Sequence, residues 1–323
     1  MWWEPRSERE RSLAIAVQQL QSWFREQGLN DVPIAWGVGS AWSPIDERLV
    51  PLVLLNSDLF KNPTEHIAYP IPLDLYREEL GQQSRLPRIP GSQRLHFMIV
   101  GRPRPSLAVE DLLGKFLAFT DPIICKQTGM LGTAAVRVWD DNVGEYGLLT
   151  AGHVFPKGLN SPVERRRRRL WLLSQREEIG YVSHHVSPQG PAPQWDAAVI
   201  RLSKPAARAS PVVNTLEYFR QPEMVLAHGA ISGVVKEAAV LQGALVEGGA
   251  ADTRWMNCWM VAPAGVLTSG DSGTAVFTRK GVYLGLYVGS SFLEGSETVL
   301  VHYVQDACSL EKHVMRQWQV SFR

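Results

Sequence analysis

The chain has 323 residues, enough for one large domain or two ordinary ones, each with a hydrophobic core of its own. Hydrophobic residues make up 45% of it and charged residues 20%, a balance that excludes a disordered chain. The formal net charge of +1 provides no overall attraction to nucleic acid or to an anionic membrane, and no apolar run reaches the roughly 18 residues of a membrane span. We therefore expect no nucleic acid and no membrane among its partners.

The first predicted element is a helix over residues 8–27. Apolar residues such as Leu13 and Leu20 recur there at near-helical spacing, and Gly28 is typical of a helix end. The segment carries charges of both signs and has no uninterrupted apolar core, so it differs from a signal peptide. These features predict an intracellular, cytoplasmic protein.

The cysteines agree with that location. There are three, an odd number, widely spaced and without a CxxC motif: Cys125, Cys258 and Cys308. A disulfide scaffold is not supported by this pattern, and we expect free, buried thiols.

The rest of the first third mixes strand and helix patterns. Apolar, strand-like runs occupy residues 33–39, 49–55 and 95–101, with proline-rich segments between them that predict loops. A second helix is predicted over residues 109–119. We interpret residues 1–120 as a small α+β domain without recognisable site chemistry.

After about residue 120, short β-type runs recur with glycine or charged turns between them. Such regular short strands, without a repeat period, predict a β-sandwich or β-barrel over residues 121–323. The tail predicts a closing helix, because four apolar residues share one helical face: Ala307, Leu310, Val314 and Trp318.

Three residues in this β-rich part could carry chemistry together. His153 follows the apolar strand LLTAG, Asp196 begins the strand-like run WDAAVIRL, and Ser272 lies in the turn LTSGDSGTAVFT. Each alone is also typical of a turn residue. A serine hydroxyl needs a base to become nucleophilic, His153 can be that base, and Asp196, partly shielded by Trp195, can orient the imidazole.

The order His, Asp, Ser and the surrounding motifs resemble the chymotrypsin-like (trypsin-like) serine peptidases. The residues that carry the resemblance are TAGH (150–153), DAAVI (196–200) and GDSG (270–273). It covers residues 122–323, the last two thirds of the chain.

The resemblance implies a mainly β fold of two six-stranded antiparallel barrels with a C-terminal helix, following the α+β domain. The site would lie in the cleft between the barrels. It also implies an oxyanion hole made by the backbone N–H groups of Gly270 and Ser272. The reaction would be hydrolysis of a peptide bond through an acyl-enzyme intermediate, with no cofactor and no metal.

The sequence also departs from the family in ways that concern specificity and activation. Val154 follows His153 where secreted members often have a cysteine. Val266 lies six residues before Ser272, where trypsins have the acid of the specificity pocket, so cleavage after Arg or Lys is not supported. Asp271 pairs in zymogen members with a new N-terminus. Here we expect an internal partner, the alternative being an activating cleavage near residues 125–135.

Other site chemistries fit less well. An α/β-hydrolase needs G-x-S-x-G and the order Ser, acid, His, but position 274 is Thr and the order is reversed. No zinc motif occurs, and the adjacent His184 and His185 are expected to face opposite sides of a strand. The arginine run at 165–169 is interpreted as a solvated loop between barrel strands.

Two functional classes remain open. The first is an active serine endopeptidase on specific intracellular protein targets, whose N-terminal domain binds a regulatory partner or restrains the enzyme. The second is a catalytically silent trypsin-fold protein-binding module. The intact set of three residues favours the first.

Overall fold

The structure is a computed structural model, and it describes most of the chain. The described residues are 7–26, 34–57, 70–76, 86–87, 89, 93–101, 103–105, 122–169, 172–188, 195–204, 223–227, 229–232, 236–245, 255, 257–262, 267–278, 282–292 and 299–322. The predicted helix at 109–119 and the specificity-pocket residue Val266 lie outside them.

In the N-terminal part, the described residues form a long helix packed on strands, with a 3₁₀ turn at Leu73–Tyr76. The elements are α1 (Glu8–Glu26), β1 (Ala35–Ser43), β2 (Arg48–Asn56), β3 (Ile71–Pro72), β4 (His96–Val100) and β5 (Pro103–Pro105). Ser7 begins the helix, since its hydroxyl accepts a hydrogen bond from the amide of Glu10 at 3.1 Å. Leu20 of the buried helix face belongs to one hydrophobic cluster with Val38 and Phe97. The predicted helix 8–27 and the three predicted strands are therefore present.

The first sheet of the C-terminal part is antiparallel and has eight strands. Its strands are β6 (Pro122–Cys125), β7 (Leu131–Thr133), β8 (Val136–Asp140), β9 (Glu145–Thr150), β10 (Pro162–Arg169), β11 (Leu172–Val186), β12 (Ala197–Leu202) and β19 (Val320–Ser321). The order across the sheet is β19-β8-β9-β12-β11-β10-β6-β7. Consequently β9 and β12, which are far apart in the chain, are direct neighbours.

The second sheet closes into a six-stranded barrel. Its strands are β13 (Glu223–Ala227), β14 (Lys236–Leu245), β15 (Cys258–Ala262), β16 (Ala275–Thr278), β17 (Tyr283–Phe292) and β18 (Val299–Asp306). They are hydrogen-bonded in the order β13-β16-β17-β18-β15-β14, and β14 pairs with β13 to close the ring. Closure removes the free edges that an open sheet would expose.

The N-terminal strands extend this second sheet. β1 pairs antiparallel with β14, and β2, β4 and β3 follow in that order. β5 lies apart from them and pairs with β17. The sheet thus runs across residue 120, and the division into domains at that residue stays a prediction.

The mainly β fold of two curled sheets with a C-terminal helix is confirmed, and it is consistent with the expected double barrel, although the first sheet has eight strands where six were expected. The closing helix consists of α2 (Ala307–Leu310) followed by a π-helical turn, Glu311–Met315. Ala307, Leu310 and Val314 are buried as predicted, within a core cluster that includes residues of both sheets. None of the three cysteines forms a disulfide. Cys125 and Cys258 are buried as expected, whereas Cys308 is only half-buried, and burial raises the pKa of the Cys258 thiol well above its usual range.

The interpretation of the arginine run as a loop is wrong. Residues 165–169 belong to β10, which forms a long hairpin with β11. Arg165 lies opposite Glu177 in that hairpin. Opposite charges directly across two antiparallel strands stabilise the pairing of those strands. Among the described residues, no helix is both long enough and apolar enough to span a membrane.

Candidate active site

Strand register brings His153 and Asp196 together. His153 lies in a short 3₁₀ turn, Gly152–Val154, directly after β9, and Asp196 directly precedes β12. Because β9 and β12 are antiparallel, with Ala198 opposite Thr150, the end of one strand meets the start of the other. The imidazole Nδ1–H of His153 donates to Asp196 Oδ2 at 2.6 Å, and its backbone N–H donates to Oδ1 at 2.9 Å.

Two residues far away in the chain hold Asp196 in place. The indole N–H of Trp255 donates to Asp196 Oδ2 at 3.0 Å, and the Asp196 amide donates to Gln305 Oε1 at 3.0 Å. Asp196 is completely buried. Trp195, which the sequence predicted to shield Asp196 in part, stacks on His313, and the sequence pattern did not point to Trp255 or Gln305.

Ser272 comes to the same place from the second sheet. It lies in the turn before β16, and its hydroxyl donates to His153 Nε2 at 2.8 Å. Gly273 makes this approach possible, since its φ is +89° and a Cβ there would lie 2.3 Å from the Thr133 carbonyl oxygen. A residue with a side chain at this position would push the turn away from the first sheet.

Thr133 of β7 connects this turn to the first sheet. Its amide donates to the Ser272 carbonyl at 2.8 Å, and its hydroxyl accepts a hydrogen bond from the Ala230 amide at 3.2 Å. Its own carbonyl accepts from the Thr150 hydroxyl at 2.8 Å, close to the end of β9. Thr133 therefore fixes the nucleophile turn relative to the strand that carries His153, a role that its sequence context did not reveal.

The carboxylate of Asp271 has internal partners. Its Oδ1 accepts from the amides of Ile231 and Ser232 at 2.8 and 3.3 Å, and its Oδ2 accepts from the Thr268 amide at 2.9 Å. Burial raises the pKa of this carboxyl group above its usual value, and the hydrogen bonds from the backbone lower it in part. The expected internal partner is thus present, and it consists mainly of backbone amides, with the Thr268 hydroxyl, in place of a charged amine.

Two amides of this turn donate to backbone carbonyls. The amide of Asp271 donates to the Thr268 carbonyl, and that of Gly273 donates to the Tyr287 carbonyl. Gly270 and Ser272, whose amides were predicted to form the oxyanion hole, lie in the same turn, and that role stays a prediction. Gly270 adopts a φ of +94°, which favours glycine.

A buried histidine anchors the chain just before this turn. His302 Nε2 accepts a hydrogen bond from the Leu267 amide at 3.2 Å, and its Nδ1–H donates to Ser290 Oγ at 2.7 Å. This pattern requires a neutral imidazole with its proton on Nδ1. Burial lowers the pKa of His302 to about 4.

We expect His302 to make folding sensitive to acid. In the unfolded chain the pKa of His302 is about 6.5. Between about pH 6.5 and 4 the unfolded state therefore binds a proton that the folded state does not, so the free energy of unfolding decreases as the pH is lowered. The contribution lost is about 3 kcal/mol. Urea unfolding at pH 7 and pH 4 measures this loss in the wild type and in His302→Gln, whose side chain keeps an acceptor for the Leu267 amide. The same loss of stability in both proteins would contradict the assignment.

The sequence matches no family model, and it matches no curated protein. Solved structures are similar at low identity. The active form of the Rv3671c protease from M. tuberculosis is 14% identical, with a TM-score of 0.32 over 60% of this chain and 79% of that one. A human heparin-binding protein is 16% identical, with a TM-score of 0.36 over 65% of this chain and 92% of that one.

Proposed function

We propose that this protein is a serine endopeptidase that hydrolyses peptide bonds through an acyl-enzyme intermediate. One observation supports the proposal above all: an unbroken line of hydrogen bonds runs from Asp196 through His153 to Ser272. The distances are 2.6 Å for the first bond and 2.8 Å for the second. Both are within the range that proton transfer between such groups requires.

The direction of these bonds sets the role of each group. An ionised Asp196 only accepts, so His153 carries its proton on Nδ1 and leaves the Nε2 lone pair for the hydroxyl of Ser272. When Ser272 Oγ attacks a peptide carbonyl, Nε2 takes the hydroxyl proton. Asp196 then faces an imidazolium cation and stabilises it.

The second half of the reaction uses the same groups. His153 gives the proton to the leaving amine, and the C–N bond breaks to leave an ester on Ser272. Water, losing a proton to His153, attacks the ester. The bond between the acyl carbon and Ser272 Oγ then breaks, His153 returns the proton to Oγ, and the acid product leaves. The amides of Gly270 and Ser272 would donate to the carbonyl oxygen while it carries negative charge.

The proposed substrates are peptides or proteins, and the reaction needs no cofactor. A cytoplasmic location and a regulatory partner of the N-terminal region belong to the same proposal. The alternative, a catalytically silent binding module with this fold, predicts an unreactive Ser272.

A fluorophosphonate probe separates the two functions, because it reacts with an activated serine hydroxyl. We expect the native chain to be labelled, and Ser272→Ala and His153→Ala to remain unlabelled. Thermal unfolding of each variant shows that it is folded. Labelling that survives Ser272→Ala would rule out Ser272 as the nucleophile.

A further inference from the structure

A short strand from the N-terminal third lies beside the nucleophile turn. β17 pairs with β18 along one side. On its other side it pairs first with β16, through residues 283–286, and later with β5, through residues 289–291. Between these two partners the nucleophile turn takes the place of a strand, since the Gly273 amide donates to the Tyr287 carbonyl at 2.8 Å.

The direction of β5 leads toward Ser272. β5 is antiparallel to β17, so Pro103 lies opposite Ser291 and Pro105 lies opposite Gly289. Gly289 follows Tyr287 by two residues, which is about 7 Å of strand. The C-terminal end of β5 therefore points at the nucleophile turn from a short distance along the same edge.

This edge is where a peptide substrate would have to bind. The substrate must place a carbonyl carbon at Ser272 Oγ while the residues before it extend past the turn. Extended peptides bind by adding a strand to a sheet edge, with main-chain hydrogen bonds providing much of the affinity. Among the described residues, the stretch of β17 next to the turn, residues 289–291, offers such an edge, and β5 pairs with it.

On the basis of the proposed peptidase function, we infer that β5 is an intramolecular inhibitor. It occupies the edge on which a peptide substrate pairs, so peptide hydrolysis requires β5 to leave. Burial agrees with an occupied edge, since Ser290 and Ser291 are inaccessible to solvent. Ser272 is 0% exposed and His153 is 8% exposed.

The composition of β5 suits an inhibitor that can be displaced. Pro103 and Pro105 have no amide hydrogen, so Arg104 is the only residue of the strand that can donate to β17. The two proline rings restrict the backbone before binding, which reduces the entropy cost of pairing. A substrate without prolines can form more main-chain hydrogen bonds on the same edge and can therefore compete.

The connection of β5 to the N-terminal strands provides a way to release it. Two residues separate β5 from β4. β4 pairs with β2, which pairs with β1, and β1 adds to the barrel at β14. A partner that binds the N-terminal region and shifts β4 would therefore pull on β5, which gives a physical basis to the regulatory role predicted for this region.

The substitution Arg104→Pro tests this inference, because it removes the last amide hydrogen of β5 and leaves the catalytic residues unchanged. Arg104→Ala is the matched control, since it removes the side chain and keeps the amide. In the full-length protein we expect Arg104→Pro to raise kcat/KM for a mixed peptide pool by about tenfold or more, as a larger fraction of molecules becomes competent to bind. Arg104→Ala should stay within about threefold of the wild type.

Fluorophosphonate labelling of the same three proteins separates this inference from the proposed function. If Ser272 is labelled to completion in all three and Arg104→Pro hydrolyses peptides no faster than the wild type, β5 is only a structural strand and the inference is wrong. Equal gains in Arg104→Pro and Arg104→Ala would also overturn it, since the effect would then come from the side chain. If none of the folded proteins is labelled, the proposed function fails and the inference fails with it.

Discussion

Replacing Ser272 by alanine is expected to reduce peptide hydrolysis by on the order of 10⁴-fold or more, because the variant lacks the hydroxyl that forms the acyl-enzyme. The hydroxyl donates to His153 Nε2 at 2.8 Å, and alanine removes this group alone. The backbone of the turn stays held by Thr133, whose amide donates to the Ser272 carbonyl. We therefore expect a folded protein with a nearly unchanged thermal unfolding temperature.

A second buried serine provides the control for this experiment. Ser161 is 1% exposed and directly precedes β10 in the first sheet, where its backbone bonds to Gly158 and Val182. Ser161→Ala should keep turnover within about threefold of the wild type, because the change touches no reacting group. Comparable turnover in Ser272→Ala and Ser161→Ala would contradict the role of Ser272.

Replacing Asp196 by asparagine is expected to have a similarly large effect, about 10⁴-fold on kcat. Asp196 accepts three hydrogen bonds, two from His153 and one from Trp255. Asparagine has one acceptor oxygen, so its NH₂ group must face at least one of these donors. If it faces His153 Nδ1, the imidazole changes tautomer and Nε2 can no longer accept the serine proton.

Trp255→Phe is the matched variant for Asp196→Asn. It removes one donor to the same carboxylate and leaves the carboxylate itself in place. We expect kcat to fall by about tenfold and KM to stay unchanged. A tenfold loss corresponds to the free energy of one hydrogen bond to a charged group. Steady-state kinetics on the peptide pool measures both variants. An Asp196→Asn enzyme that is no slower than Trp255→Phe would show that Asp196 does not set the tautomer.

Local sequence patterns predicted most of the secondary structure. Periodicity predicted helix α1 and the strands, because amphipathic spacing and β-branched runs depend on near neighbours in the chain. The three candidate catalytic residues were also found locally, since each lies at a strand end beside small residues. In the structure they lie within hydrogen-bonding distance of one another. From the sequence, this proximity could be predicted only through the family resemblance.

The features that sequence reasoning missed depend on contacts between distant segments. The Trp255 indole donates to Asp196, which is 59 residues away in the chain. The Thr133 hydroxyl donates to the Gly270 carbonyl, which is 137 residues away. The pairing of β5 with β17 joins residues more than 180 positions apart, and no sequence-based prediction covered residues 103–105. The arginine run was misread for the same reason, because its strand pairing depends on the residues of β11 opposite it.

The most direct test of the central claim is to trap the acyl-enzyme. The protein is mixed with an activated ester such as p-nitrophenyl acetate, quenched in acid before the ester hydrolyses, digested and mapped by mass spectrometry. We predict a rapid burst of product and one acetyl group on the peptide that contains Ser272, with neither in His153→Ala. An acetyl group on a different residue would contradict the claim that Ser272 is the nucleophile. The claim would also be contradicted if the native protein and Arg104→Pro were both folded and both remained unmodified.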